Sequence, residues 1–362
     1  MNTERFDFMK IIHTSDLHLD APLTSRLSRL KAKERRGELI SGFRAVCDTA
    51  ERENVRAVII AGDLFDNDTV SQKTLNYLIG IIGKCHGVDF LYLSGNHEKK
   101  RLLDSGLEIP QNLKIFGKDW TYFNIDGVTF AGRSVICENM FESLRLDENS
   151  VNIVVLHGVL TEHTDNTDKI GEKDFSALPI DYLALGHYHS YSEKNIGERC
   201  VAVYSGTPEG RGFDEAGDKG YSLISVNGDT LDHRFVTSMQ RKIHIKEFVI
   251  DDSYDEISLE DKISEILSDV RRDDIARLVL KGSYKPGEKL DSERILKRFE
   301  PLYYYFEIKD ETTLSISFEE YKNDKSLKGE FIRTVMAKNE LSEREKAEII
   351  ECGIKALAGE EL

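Results

Sequence analysis

The chain has 362 residues, 40% hydrophobic and 31% charged with only 6 Pro, which excludes a disordered, collagenous or low-complexity protein. That length exceeds what one core usually fills, so a large domain and at least one smaller one are expected. A net charge of -16 argues against broad nucleic-acid binding through a basic surface, although a local basic groove is still compatible with it.

In chain order, short apolar runs that stop at Gly-containing turns predict buried strands at Ala57 to Ala61, Phe90 to Leu93, Val151 to Leu156 and Tyr182 to Leu185. Between the first two of these, Leu39, Ile40, Phe43, Val46, Cys47 and Ala50 recur at helical spacing, so an amphipathic helix is expected. Strand and helix alternate, which predicts an α/β fold. Strand-type residues without intervening helices at Tyr122 to Ala131, Cys200 to Ser205 and Tyr221 to Val226 extend this to a mixed, two-sheet α+β architecture.

After about Thr237 the texture changes. The strand-like IHIKEFVI precedes a helix carrying Ile263, Ile266, Leu267 and Val270, then a strand at Ile275 to Leu280. A helix around Ile295, Leu296 and Phe299 and the strand LYYYFEI complete a β-α-β-α-β pattern. The tail reads as a helical hairpin, Ser326 to Lys338 and Ser342 to Ala358, with a capping box at Ser342 and Glu345. The expected domains are therefore 1–240, 241–318 and 319–362. Cys47, Cys85, Cys137, Cys200 and Cys352 include no C-x-x-C pair, which points to neither a disulfide framework nor a zinc ribbon. No apolar run approaches a membrane span, and MNTERFDFMKII lacks the features of a signal peptide, so a cytoplasmic protein without a membrane partner is expected.

The informative feature is where Asp, Asn and His fall. Five segments place them at or just after the end of an apolar run: Asp16 and His18, Asp63 and Asp66, Asn96 and His97, His157, and His187 and His189. Strand ends on one edge of an α/β sheet converge on a crevice. The spacing in D-x-H and H-x-H would put both side chains on one side of an extended backbone, and a carboxylate such as Asp63 can bridge two ions. The glycines before Asp63, Asn96 and His187 permit close backbone approach. Mixed oxygen and imidazole donors suit Mn, Fe, Zn or Co better than Mg or Ca. Each motif taken alone is an ordinary turn or a hydrogen-bonded core histidine. Five of the ten histidines lie in these segments, however, and the set reads as a metal site.

DxH, GDxxD, GNHE, a single H-G and GHxH, in that order, resemble the five blocks of the calcineurin-like metallophosphoesterase superfamily. The resemblance implies a β-sandwich flanked by helices and a site for two divalent ions, with Mn²⁺ expected. It places Asp16, His18 and His189 on one ion, Asn96, His157 and His187 on the other, and Asp63 between them. It gives His97 a catalytic role near the leaving oxygen. HTSDLHLDAPL, AGDLFD, LSGNHE, DYLALGHYH and YSGTPEGRGFDEAGDKGY are similar to SbcD-type, YhaO-like DNA repair exonucleases, and the later segments resemble that group's capping domain and terminal helices. The partners this implies are DNA, an SbcC-type ATPase docked on the hairpin, and a second copy of the chain.

Competing readings are a small-substrate phosphodiesterase and a DNA-end tethering scaffold. A protein phosphatase would continue the second block as GDxxDRG, whereas here Asn67 and Asp68 follow Asp66. Asp66, Arg133 and Arg211 are further candidates for substrate contact. The run Arg26, Arg29, Lys31, Lys33, Arg35 and Arg36 reads either as a basic approach for phosphate or as a solvated helix face.

Overall fold

The computed structural model describes residues 8–23, 27–66, 70–95, 102, 106–162, 169–250, 256–285, 290–315 and 321–359. Two compact units divide the chain, Met1–Lys242 and Ile243–Leu362. The first begins with β1 (Met9–Thr14), α1 (Arg29–Arg52), β2 (Ala57–Ala61), α2 (Gln72–Lys84), β3 (Asp89–Leu93), β4 (Leu113–Ile115), β5 (Thr121–Ile125) and β6 (Val128–Gly132). It continues with β7 (Asn152–His157), β8 (Val159–Thr161), β9 (Lys169–Gly171), β10 (Tyr182–Gly186), β11 (Ser192–Ile196), β12 (Cys200–Tyr204), β13 (Gly220–Asn227) and β14 (Thr230–Thr237).

Two six-stranded sheets result, ordered β14-β13-β1-β2-β3-β4 and β11-β12-β10-β7-β6-β5. The alternation of side chains along each strand divides the apolar residues between cores. Ile11, Ile59 and Leu91 of the first sheet meet Phe130, Ile153, Tyr182 and Val203 of the second, forming the inner layer of a sandwich. Their neighbours Ile12, Val58, Ile60 and Phe90 point the other way, onto Leu39, Phe43, Val46 and Ala50 of α1 and Leu78 and Ile82 of α2. On the outer face of the second sheet, Val154, Leu156, Leu183 and Leu185 are covered by Met140, Phe141 and Phe175. The mixed α/β class and the strand positions read from the apolar runs are thus found.

Two helical features differ from the sequence reading. Helix α2 was not anticipated, because Gly80 and Gly83 interrupt its pattern and lower its propensity; the Ser71 side chain caps it by accepting from the Thr74 N–H. Helix α1 starts earlier than Leu39, at Arg29, so the basic run from Arg29 to Arg36 forms its first turns, while Arg26 lies outside the described residues. Neither basic-run reading describes Arg35, which is fully buried. Its guanidinium pairs with Glu38 and with Glu209, the latter at 3.0 Å, and donates to the Gly210 carbonyl. Arg241 donates to Glu38 at 2.7 Å, and the Gln240 N–H to Glu209 at 2.6 Å. This buried cluster fastens α1 to the segment around Gly210.

The second unit contains β15 (Ile243–Ile250), α3 (Glu256–Ile266), β16 (Ile275–Tyr284), α4 (Ser292–Phe299), β17 (Tyr305–Asp310), β18 (Thr313–Leu314), α5 (Leu327–Met336) and α6 (Glu343–Ala358). Its sheet is parallel, ordered β15-β16-β17, with β18 also on β16. Phe248, Leu278, Leu280 and Phe306 pack with Ile263 of α3 and Ile295 and Phe299 of α4. In the terminal hairpin Ile332, Val335, Ile350 and Ile354 are buried against one another with Leu314 and Tyr321. The capping box forms, with the Ser342 N–H donating to Glu345 at 2.8 Å and the Glu345 N–H to Ser342 Oγ at 3.3 Å.

Removing one member of a buried ion cluster leaves its partners' charges uncompensated, at a cost of about 3–5 kcal/mol. Arg35→Ala is therefore expected to lower stability by about that amount in urea unfolding, against less than about 0.5 kcal/mol for the exposed Arg29→Ala or Lys33→Ala. Equal, small effects at all three would remove Arg35 from the fold's framework.

Candidate metal centre

Strands β1 and β2 lie side by side and parallel, as do β7 and β10, so the segments leaving them run together. Beyond its end, β1 stays bonded to the β2 loop: the Asp16 N–H donates to Gly62 O at 3.0 Å, His18 to Asp63 O at 3.0 Å and Leu19 to Leu64 O at 2.9 Å. The backbone there is not extended, contrary to the spacing argument for D-x-H and H-x-H. Asp16, His18, Asp63 and His187 have φ of 52°, 44°, 48° and 114°. Non-glycine residues rarely adopt such angles, which cost about 1–3 kcal/mol each and persist only where surrounding bonds over-determine them. Left-handed turns, rather than strand alternation, aim these side chains.

Close approach at two glycines completes the arrangement. A Cβ on Gly62, which also has φ of 90°, would lie 2.1 Å from His157 Nδ1, and one on Gly186 would lie 1.8 Å from the Ala61 carbonyl oxygen.

The side chains gather in two overlapping groups, Asp16 with His18 and His189, and Asp16 with Asp63 and His157; the donor atoms of each group lie within 4.8 Å of one another. His18 Nε2 and His189 Nε2 are 3.3 Å apart. Asp63 Oδ2, a donor of the second group, lies 3.3 Å from His157 Nε2 and 3.9 Å from His18 Nε2 of the first. Asp16 belongs to both groups. The His187 ring meets that of His157 edge-on at 5.7 Å, and its backbone N–H donates to both Asp16 oxygens at 3.1 Å. Asn96 and His97 lie outside the described residues.

Hydrogen bonds behind the ligands aim the imidazole nitrogens. A carbonyl only accepts, so the 2.9 Å bond between His157 Nδ1 and Ala61 O puts the proton on Nδ1 and turns Nε2 toward the cluster, where it is buried without a hydrogen bond. His189 Nδ1 likewise bonds Glu215 at 2.6 Å. Burial works to raise the Glu215 carboxyl, but His189 and Arg211 outweigh it and hold it at about 2. Glu215 also accepts from the Arg211 backbone N–H at 2.6 Å and from Arg211 Nε at 2.9 Å. Arg211 Nη1 reaches Asp66 at 2.8 Å, and Asp66 lies 3.4 Å from His18 Nδ1. A chain of charges thus runs from His189 through Glu215, Arg211 and Asp66 to His18.

Arg133, by contrast, is buried and directs its guanidinium to Val135 O at 2.7 Å, to Cys137 and over the Trp120 ring, none of which is a candidate ligand. Glu215 was not singled out from the sequence. Its signal there was an acid four residues after Arg211, in a stretch already notable for its resemblance.

These residues fit divalent ions. Burial raises the Asp16 carboxyl, while for His157 the effect of burial is outweighed by Asp63 and Asp16, which lift it to about 9. Both shifts arise from negative charge buried in one place, which a bound cation would offset. Two imidazole nitrogens on one ion, each at about 2.1 Å from it, would stand at a separation comparable to that of His18 and His189.

Residues 9–191 match the calcineurin-like phosphoesterase family. The chain belongs to that family. It is thereby a hydrolase of a family that uses divalent metals, and the groups above are donors of the required kind. It is 28% identical over 245 residues to the uncharacterized metallophosphoesterase YhaO of Bacillus subtilis, covering 63% of this chain and 60% of that one. It is also 28% identical over 239 residues to the DNA double-strand break repair protein Mre11 of Methanosarcina acetivorans, covering 62% and 38%. The chain therefore spans less than two thirds of the length of these curated relatives. A dimetal phosphatase of known structure from Danio rerio aligns with a TM-score of 0.41 at 11% identity, over 62% of this chain and 95% of that one. Among the described residues no helix is long and apolar enough to cross a membrane.

If Glu215 orients His189, Glu215→Ala should weaken Mn²⁺ binding about 10- to 100-fold in a titration against a competing chelator, the usual effect of removing a partner behind a ligand. Unchanged affinity in a folded variant would show that His189 needs no such support.

Proposed function

We propose that the chain is a metal-dependent DNA exonuclease of SbcD type that acts in DNA repair in the cytoplasm. The observation that carries this reading is the pair of donor groups that overlap at Asp16, with Asp63 of one group near His18 of the other. The name of the Mre11 relative supports DNA as the substrate. In the proposed assignment Asp16, His18 and His189 hold one ion, Asn96, His157 and His187 the other, and Asp63 both. Two divalent ions, Mn²⁺ in this reading, would lower the pKa of a water and clamp the oxygens of an in-line phosphoryl displacement. Asp16 and Asp63 supply the negative charge that retains the ions, and Glu215 and Ala61 keep His189 and His157 in the tautomers that ligate. His97 would donate a proton to the departing 3′ oxygen. Asp66 and Arg211, engaged with each other, serve this arrangement as supports.

A second reading, a small-substrate phosphodiesterase, is favoured by the burial of Arg35, since the basic run then offers less to a DNA backbone. Purified protein with Mn²⁺, given end-labelled duplex DNA, single-stranded DNA and bis-p-nitrophenyl phosphate, separates the two. The nuclease reading expects DNA cleavage, with His97→Ala losing about 10² to 10⁴ in rate while keeping its metal. Cleavage of the small diester alone would favour the second reading.

The terminal hairpin is proposed to dock an SbcC-type ATPase. Most of its apolar stripe is spent internally, yet Leu327 is 70% exposed and Leu357 46%. Truncation after Tyr321 should abolish capture of such an ATPase in a pull-down. Retained capture with lowered thermal stability would make the hairpin only a structural element.

A further inference from the structure

Between two candidate ligands, His187 and His189, the chain places a residue that the metal cluster does not use. Tyr188 is 47% exposed, whereas its neighbour Tyr204 is buried and held through its hydroxyl, which donates to Gly158 O at 2.9 Å and accepts from the Leu160 N–H at 2.8 Å. The Tyr188 ring rests on Tyr204 at 4.8 Å between centroids and on His187 at 5.4 Å, both at an interplanar angle of 66°. Neither neighbour lies flat against it. A cavity of about 410 Å³ opens beside the ring, lined among others by His187, His189, Ser190, Tyr191 and Asp214.

The lining indicates what the cavity would admit. Among the described residues it contains the carboxylates of Asp214 and Glu215 and no Lys or Arg. The described lining offers no Lys or Arg to hold a phosphate, whereas an uncharged aromatic group needs none. A tyrosine fixed beside a hydrolytic centre with an accessible ring suits a planar partner, and base stacking on such rings tolerates any base because each has a π-face.

We infer that Tyr188 is a stacking platform for an unpaired nucleobase adjoining the phosphate held at the cluster. This rests on the nuclease reading and narrows it. Inside a duplex both faces of a base are covered by its neighbours, so a base on Tyr188 belongs to a single strand or a frayed end. The strand is accordingly cut where it is unpaired.

The test measures binding rather than turnover. Full-length protein with Mn²⁺ is titrated into a fluorescent hexathymidylate with phosphorothioate linkages, which resist hydrolysis, and into the same backbone without bases. Tyr188→Leu should weaken thymidylate binding about 5- to 100-fold, the range for loss of one stacked base, and leave abasic binding unchanged. Tyr188→Phe should bind as the wild type does, and Tyr188→Trp more tightly. Wild-type thymidylate affinity in a folded Tyr188→Leu variant, or equal losses on both oligonucleotides, would overturn the stacking role while leaving the nuclease reading intact. Failure of the wild type to bind or cleave any DNA would overturn both.

Discussion

Two carboxylates, Asp16 and Asp63, are buried within a few ångströms of each other, and much of the first unit exists to make that tolerable. A buried carboxylate is costly unless paired, and two together repel. Asp16 and Asp63 push the His157 imidazole above its ordinary value, the direction expected where negative charge is in excess, and divalent ions would offset that charge. The left-handed backbone at Asp16, His18, Asp63 and His187 adds a further local cost. It is sustained by apolar burial on both faces of both sheets, and by the ladder that continues β1 beyond its end to Leu19.

Support for the ligands comes from outside the motifs. Glu215 joins His189 to Arg211, and Arg211 joins Asp66 to the same network, so His18 and His189 are aligned from behind by a common set of charges. The segment that carries Arg211 is in turn fastened to α1 by Arg35 through Glu209 and the Gly210 carbonyl. Lys219 holds the other side, donating to the His189 carbonyl at 2.9 Å and to Ser190 at 3.1 Å. Helix, loop and ligand are therefore joined by a continuous set of polar contacts.

Strands and candidate ligands were legible in the sequence for related reasons. A strand buried on both faces must be continuously apolar, so Ala57 to Ala61 and Tyr182 to Leu185 stand out, and polar residues abutting such runs are conspicuous. Gly62 and Gly186 were legible too, since a residue that must approach His157 or the Ala61 carbonyl cannot carry a Cβ. The conformation that aims the ligands was not, because spacing alone does not distinguish extended backbone from successive left-handed turns. Helix α2 was hidden by its own glycines. Arg35 was misread because charge runs are judged by composition, whereas its burial depends on Glu209, far away in sequence.

That misreading bears on how a strongly acidic protein could engage an anionic polymer. With Arg35 buried, Arg133 turned to its own loop and Arg211 tied to Asp66 and Glu215, several cations that composition would offer to phosphates are already committed. Attraction at the described part of the site would then come mainly from bound divalent ions, which act at one phosphate, and from uncharged contacts such as the Tyr188 ring. Binding of that kind releases few counterions, so its affinity should fall only weakly as salt rises, whereas a basic groove spanning many phosphates would lose affinity steeply. An acidic surface would also discourage the chain from lingering on continuous duplex, where neither an unpaired base nor a strand end is presented. The same charge that argues against general nucleic-acid binding is thus compatible with selective action at ends.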